Sequence, residues 1–338
     1  MEQALQTEVD QVRNHCGYFL LEDWCIISAK GKETFSFLQT QTTNDVLQIQ
    51  LGQGQYNAIT DRQARLIANF SIHRVAEHEA LILVESSQKE LLLNHLETYH
   101  FREDVLFTAL NCKLLALQGP KSPLILEKVF ENQNLPEKPN DTTQLTLDGN
   151  RLDIIMKSLT GDEGHILCFQ NEFKDKLIQK FLKTNTPPVK VSENAREVLR
   201  IEAGIPIFGK DMDQKSILPE TGLEHTSVSY NKGCYIGQEV IARIKTYGAP
   251  NFALMGLTVE GLGLPPFNGI LRLGEKKIGT IKSSVRSVTL NKIISLAYMH
   301  KEHRSPERKY CFLNKKIEHA IKEKIAKVSG YTVRKFLT

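Results

Sequence analysis

The sequence has no apolar run long enough for a membrane-spanning helix, which argues against helical membrane spans. Its first residues, MEQALQTEVDQVRNHCG, lack the basic and apolar stretches of a secretory signal, so we expect a cytoplasmic protein without an export signal. The six cysteines form no C-x-x-C pair, which argues against a disulfide framework and a cysteine-built metal site. There is no phosphate-binding loop, and the G-x-G at Gly52 and Gly54 lacks the third glycine of a dinucleotide turn.

What the sequence does contain is typical of a folded protein of several domains. Its 338 residues exceed one ordinary core, and 41% apolar with 24% charged residues is an average composition. The net charge of +4 is uneven, because the segment from Lys301 onward carries eleven Lys and Arg against four Glu, a balance of +7 that leaves −3 for the first 300 residues. A basic tail can contact nucleic acid or an acidic partner, although a solvated charged face is the commoner explanation.

The hydrophobic patterns predict an α+β body. Apolar runs predict strands, and a serine-capped helix should end at Gly204. A proline-containing stretch, ENQNLPEKPNDTTQ, predicts an internal boundary, and the serines before KELLLNHLETY predict a helix cap. The predicted strands are WCIISAK, QYNAIT, RLIANFSIHR, ALILVE, KLLALQ, RLDIIMKSL and GHILCF, and the predicted helices are KETFSFLQTQ, KELLLNHLETY, LILEKVF, NEFKDKLIQKFLK and SENAREVLRIE.

From about Tyr247 the pattern changes to short apolar runs separated by glycines and prolines, which predicts a small β-barrel. We therefore divide the chain into a body at 1–246, made of two interleaved subdomains, and a C-terminal β domain at 247–338. Near the end, Ile317, Ile321 and Ile325 are four residues apart, and this segment reads either as a helix or as a closing strand.

Cys234 is the candidate functional thiol. The pattern that follows predicts a helix beginning near Gly237, so Cys234 lies just before a helix N-terminus, with Lys232 two residues away. Both features favour a thiolate, and we expect a reactive or ligand-binding thiol; the alternative is a small structural residue in a turn. No histidine is marked by motif as a base for a cysteine hydrolase. His300 and His303 are a weak metal motif, and we predict no protein-bound metal.

The segment KGCYIGQE, Lys232 to Glu239, resembles the signature of the YgfZ family of folate-binding proteins, whose fold is similar to the T-protein (aminomethyltransferase) of the glycine cleavage system. LEDWCIISAKG, FLQTQTTNDV, RIEAGIPIFGKDM and KKIGTIKSSV extend the resemblance over nearly the whole chain. It implies a ring of three subdomains around a central hole that holds tetrahydrofolate, with the small C-terminal β-barrel completing the T-protein-like fold.

A pterin needs an aromatic neighbour and a carboxylate for its N–H donors, and its glutamate tail needs cations. By the resemblance, Trp24 is the folate-contacting tryptophan and Glu202 is the carboxylate that holds the pterin. Lys232 and Tyr235, in the signature, are further expected folate contacts. Arg196 stands where the family has a second folate-contacting tryptophan, which changes the expected stacking.

T-proteins carry a pair of acidic residues, one essential for aminomethyl transfer, at positions that correspond here to Ala68 and Asn69. Because the carboxylate is absent, we expect no true aminomethyltransferase activity.

The resemblance implies instead a tetrahydrofolate-binding protein that uses Cys234 to assist iron–sulfur cluster assembly or repair and so indirectly supports tRNA modification. One cysteine cannot hold a stable cluster, so a cluster carrier or client protein is the expected partner. The alternatives are a folate-dependent aminomethyltransferase-type enzyme and an RNA-binding protein acting through its basic tail.

Overall fold

The structure is a computed structural model that describes residues 2–261, 263–304, 309–313, 325–327 and 331–332. It is a mixed α/β fold built on three sheets, which confirms the predicted mixture of helices and strands. No helix in these described ranges is both long and apolar enough to cross a membrane. The helices are α1 (Glu2–Asn14), α2 (Thr34–Gln41), α3 (Lys89–Tyr99), α4 (Ser122–Val129), α5 (Lys174–Leu182), α6 (Glu193–Glu202), α7 (Glu224–Ser227) and α8 (Gln238–Tyr247).

The first sheet has five strands, and each strand is antiparallel to its neighbours. Helices α2 and α3 contribute buried residues to the apolar core of this sheet. The predicted strands QYNAIT, RLIANFSIHR, ALILVE and WCIISAK are confirmed, and all four belong to this sheet. The strand order is β3 (Gly54–Thr60), β4 (Leu66–Ala76), β5 (Glu79–Glu85), β2 (Trp24–Lys30) and β6 (Leu106–Ala109).

The second sheet has six strands, and its core includes residues of α4 and α5. Strands from both sides of the proline-containing stretch belong to this one sheet, so that stretch is not the boundary that its composition predicted. The chain changes sheets instead between β6 and the next strand. The strand order is β11 (Val189–Lys190), β1 (Gly17–Leu20), β7 (Lys113–Gln118), β10 (Gly164–Phe169), β9 (Asn150–Met156) and β8 (Thr142–Leu147).

The third sheet has seven strands and is open, so the expected closed β-barrel is not confirmed. Ile325 lies in a strand, which answers the choice between helix and strand for that residue; Ile317 and Ile321 lie outside the described residues. The division of the chain at 246/247 stays a prediction. The strand order is β17 (Ile325–Lys327), β16 (Lys309–Leu313), β13 (Ile270–Leu273), β14 (Lys276–Ser287), β15 (Lys292–His300), β12 (Phe252–Val259) and β18 (Tyr331–Thr332).

Helix α6 lies where the three sheets meet. Its N-cap Ser192 accepts a hydrogen bond from the Ala195 N–H at 3.3 Å, and Gly204 takes a left-handed φ of +72° just after its end, so both predicted boundaries are confirmed. The apolar face of α6 packs in one core cluster with residues of all three sheets, for example Ile26, Ile166 and Leu296. The opposite face is polar and faces a cavity.

The predicted serine cap of α3 is wrong. The segment Ser86–Gln88 forms a 3₁₀ turn that runs directly into α3, and no side chain caps the helix. The physical reason is that the chain leaves β5 already turning, so the serines are part of the turn instead of preceding it.

Candidate functional site

A cavity of about 800 Å³ lies between the first two sheets and α6. This volume is in the range of small-molecule sites. Residues from β1, β2, β3, β5 and α6 line it, together with the loop that follows β9. The cavity is therefore assembled from distant parts of the chain, and its lining includes the two expected folate contacts Trp24 and Arg196.

Trp24 begins β2, and its register partner on the neighbouring antiparallel strand is Glu85, the last residue of β5. Residues directly opposite in an antiparallel pair project from the same face of the sheet. Both residues line the cavity. The pairing therefore places an indole ring next to a carboxylate, although the two residues are far apart in sequence.

The Glu85 carboxylate is held in an environment that favours its neutral form. The residue is only 8% exposed. Burial, helped by the nearby negative charge of Asp23, raises the pKa of Glu85 from 4.5 to about 7, while a backbone hydrogen bond from Phe208 and the Arg200 charge act in the opposite direction. At neutral pH the group is thus poised between its two protonation states.

Lys157 and Tyr56 line the same cavity as Glu85, and the Glu85 charge raises the pKa of both residues. The Lys157 Nζ lies 4.7 Å from the centroid of the Tyr56 ring, a cation–π distance. Burial lowers the pKa of Lys157 from 10.5 to about 8, and the Glu85 charge raises it. The cavity therefore carries a cation and an anion that influence one another.

Arg196 occupies the position where the resemblance places a second tryptophan. Its guanidinium carbon lies 4.5 Å above the centroid of the Phe19 ring, and its Nη2 is 3.6 Å from an Asp23 carboxylate oxygen. The guanidinium thus presents a flat cationic surface to the cavity in place of an indole.

Arg200 on α6 lines the cavity and is held by a buried hydrogen-bond network. It is 4% exposed and donates hydrogen bonds to Glu197, to the fully buried Asp211 and to Ser283 of β14, each of these three at 2.6 Å. The charges of Glu197 and Asp211 raise the pKa of the guanidinium, against the effect of burial. This network holds α6 against the third sheet.

Glu202 does not line the cavity among the described residues. One of its carboxylate oxygens accepts a hydrogen bond from Ser287 at 2.6 Å, and the other forms an ion pair with Arg13 of α1 at 3.0 Å. Its side chain is 7% exposed. The structure therefore does not bring Glu202 together with Trp24, and in this arrangement Glu202 joins α1, α6 and β14.

Lys232 and Tyr235 are also placed away from the cavity. The Lys232 ammonium donates to the backbone carbonyls of Gln39, Thr42 and Asn44 at 2.6, 2.6 and 2.8 Å, so it closes the C-terminal end of α2. Burial lowers its pKa to about 8. Tyr235 is 8% exposed and packs in an apolar cluster.

Cys234 is exposed, so it is not a core thiol. The loop that carries it is held on both sides, by Lys232 and by a hydrogen bond of 2.7 Å from the Thr60 hydroxyl to the Ile236 carbonyl. Helix α8 begins at Gln238 after Gly237, which confirms the predicted start. Gly237 has φ +86°, and a Cβ there would lie 2.5 Å from the backbone oxygen of Asp61, so only glycine fits this turn.

Ala68 and Asn69 are both buried on β4. Ala68 is part of the core of the first sheet. The Asn69 amide donates a short hydrogen bond to the hydroxyl of Tyr56, a cavity residue, and its Oδ1 has no hydrogen-bond partner in the described part of the chain. A neutral amide therefore stands beside the cavity where the resemblance leads one to look for a carboxylate.

The weak histidine motif gains a third member in the structure. His300, Glu302 and His303 have potential ligand atoms within 4.8 Å of one another. Glu302 also forms an ion pair with Lys276 at 3.0 Å, which competes with any role as a metal ligand.

Sequence reasoning missed Glu85, Lys157 and Tyr56. Each of them ends or lies in a strand-like run where nothing local separates a cavity residue from an ordinary surface residue. For Glu85 the strand register supplies a signal, since it pairs Glu85 with Trp24.

The chain is similar to one protein family, to curated aminomethyltransferases and to a solved structure. The family described as the GCVT N-terminal domain matches residues 1–232. An aminomethyltransferase of Bacillus cytotoxicus is 27% identical over 330 residues, covering 96% of this chain and 87% of that protein. An aminomethyltransferase of Bacillus cereus shows the same identity and coverage. The crystal structure of glycine cleavage system aminomethyltransferase T from Bartonella henselae has a TM-score of 0.85 at 20% identity, covering 96% of this chain and 88% of that one, which shows a shared fold.

Proposed function

This chain belongs to the family of the GCVT N-terminal domain, and we propose that it binds tetrahydrofolate in the cavity beside Trp24. The single observation that supports this most strongly is a cavity of about 800 Å³ in which an indole and a buried carboxylate are cross-strand neighbours. The volume suits a ligand of this size, and the lining offers the groups that a pterin needs.

The lining also suits the rest of the ligand. Arg196 and Lys210 are cavity cations that can receive the carboxylates of the glutamate tail. Arg196 lies on α6, with its guanidinium near Asp23, and Lys210 lies on the loop that follows the helix. A folate with its pterin at the indole and its tail along α6 would contact both the strand pair and these cations.

We further propose that Cys234 is a working thiol for iron–sulfur cluster assembly or repair in other proteins, indirectly supporting tRNA modification. This narrower part, with the assignment to the YgfZ family, depends on the likeness of KGCYIGQE, and the support from geometry is that Cys234 is exposed on a well-anchored loop. An exposed thiol is accessible to a macromolecular partner, and a single thiol needs such a partner to hold a cluster.

The second candidate is an aminomethyltransferase, which the names of the curated relatives favour. Against it stands Asn69, since a neutral amide cannot take a proton or hold an ammonium group as a carboxylate does. A glycine cleavage assay with the other components of that system separates the two. Turnover by the native protein, with no increase in the Asn69→Asp variant, would favour the enzyme. Tetrahydrofolate binding without turnover would favour the binding protein.

Trp24 allows a direct test of the cavity because it is the only tryptophan in the sequence. Titration with tetrahydrofolate should change its emission, and Cys234→Ala should bind equally well because Cys234 lies outside the cavity lining. Unchanged emission, together with no heat of binding in calorimetry, would refute the proposal. Tight, salt-sensitive tRNA binding that survives Cys234→Ala would instead support the RNA-binding alternative; most of the basic tail lies outside the described residues.

A further inference from the structure

A pterin ring presents one edge with a fixed hydrogen-bonding order. Its 2-amino group and N3–H are two adjacent donors, and its C4 carbonyl is an acceptor. A protein that reads this edge needs a carboxylate to accept the two N–H groups and a donor beside it for the carbonyl. The assignment of the carboxylate and the donor to particular residues of this chain rests on the proposed folate binding.

We propose that Glu85 accepts the paired N–H donors of the pterin and that Lys157 donates to its C4 carbonyl, while Trp24 covers the ring face. All three line the cavity. Glu85 is the register partner of Trp24, so the carboxylate and the indole project from one face of the sheet. An aromatic surface and a hydrogen-bonding edge are thereby combined at one place.

Two other carboxylates, both on α6, are already paired, and the remaining glutamates of the cavity lining are exposed. Glu202, which the sequence resemblance selected, has both oxygens bound, by Ser287 and by Arg13, and does not line the cavity. Glu197 pairs with Arg200 at 2.6 Å. A carboxylate that already accepts from a cation has less to gain from pterin N–H groups than one without such a partner.

Glu85 is different because it is buried and forms no ion pair within 4.0 Å among the described residues. A buried carboxylate without a cation is costly, and ligand N–H donors would lower this cost. Asn69, whose Oδ1 is buried and lacks a partner, reaches the same wall through the Tyr56 hydroxyl. Glu85, which accepts a hydrogen bond from the Phe208 backbone but has no cation, is therefore the acceptor at this end of the cavity that a ligand edge rich in donors would satisfy.

The charges around Glu85 define how binding should depend on pH. The groups that influence it are Asp23 before β2, Tyr56 on β3, Lys157 after β9 and Arg200 on α6. Because the ligand needs ionised Glu85 and protonated Lys157, affinity should rise through the Glu85 pKa of about 7 and fall above the Lys157 pKa of about 8. The expected profile is a bell, with one limb from each residue.

The experiment compares variants by calorimetric titration with tetrahydrofolate and with p-aminobenzoylglutamate, a fragment that has no pterin. Glu85→Gln should weaken tetrahydrofolate binding by about 10- to 100-fold and remove the acidic limb of the bell. Lys157→Met should remove the basic limb. Binding of the fragment should stay within about twofold in both variants, since the changes affect only the pterin edge.

Two glutamates serve as matched controls. Glu172→Gln removes a charge from an exposed residue that does not line the cavity and should bind like the native protein. Glu202→Gln tests the competing carboxylate: a loss of tetrahydrofolate affinity there, with Glu85→Gln unchanged, would overturn the inference while leaving the proposed function standing. Absence of tetrahydrofolate binding by the native protein would instead refute the proposed function itself. Urea denaturation of each variant confirms that it is folded.

Discussion

Replacing Glu85 by glutamine should make the protein more stable at neutral and alkaline pH, even without a ligand. The carboxylate is 8% exposed, and burial raises its pKa from 4.5 to about 7. Since the folded state holds the proton more tightly than the unfolded state, ionising Glu85 in the folded protein costs free energy. This cost is small below the unfolded value, grows as pH rises from 4.5, and is complete above about pH 7.

The size of the effect follows from the two pKa values. Each unit between 4.5 and about 7 is worth about 1.4 kcal/mol, so the full cost is about 3–4 kcal/mol. Glutamine has nearly the same shape as protonated glutamate and never ionises. The difference in unfolding free energy between Glu85→Gln and the native protein should therefore grow with pH. Between about pH 5 and about pH 8 it should increase by about 2–3 kcal/mol in favour of the variant.

Urea denaturation at these two pH values, followed by Trp24 emission, measures the difference from the transition midpoints. Glu172→Gln is the control, because the same change on an exposed residue should alter stability by less than about 0.5 kcal/mol at both pH values. A Glu85→Gln variant with the same stability as the native protein at about pH 8 would show that the carboxylate is well solvated, and the inference about the pterin edge would lose its basis.

Arg200→Met should lower the unfolding free energy by about 3–5 kcal/mol, because its fully buried carboxylate partner would keep a charge without a counter-ion; a loss below about 1 kcal/mol in urea denaturation would contradict this. Gly237→Ala should cost more than about 2 kcal/mol, given φ +86° and a Cβ 2.5 Å from a backbone oxygen, whereas Gly233→Ala in the same loop has open space and should be nearly neutral. Lys232→Met should leave tetrahydrofolate affinity within about twofold while it changes the alkylation rate of Cys234, because three backbone carbonyls lose their donor. Lower folate affinity in that variant would place Lys232 in the folate site after all.

Local patterns predicted much of the fold because they depend on short-range physics. Alternating apolar residues marked β4, and a serine cap with a stop glycine marked α6. The cap of α3 was predicted wrongly because a serine can serve a turn or a helix, and only the path of the chain out of β5 selects between them. The barrel was a further expectation of this kind: repeated short strands are consistent with both a closed barrel and an open sheet, and pairing decides which one forms.

The sequence alone determined many of the strand and helix segments, the glycine turn before α8 and the single tryptophan that lines the cavity. Only the tertiary structure decided which carboxylate lies beside that tryptophan. No local sequence pattern shows whether Glu202 or Glu85 is available to a ligand. In the structure, Glu202 forms an ion pair with Arg13, and Glu85 is buried opposite Trp24. The physical reason is that the charge state and availability of a carboxylate depend on burial and on partners brought from distant segments, which short-range patterns do not encode.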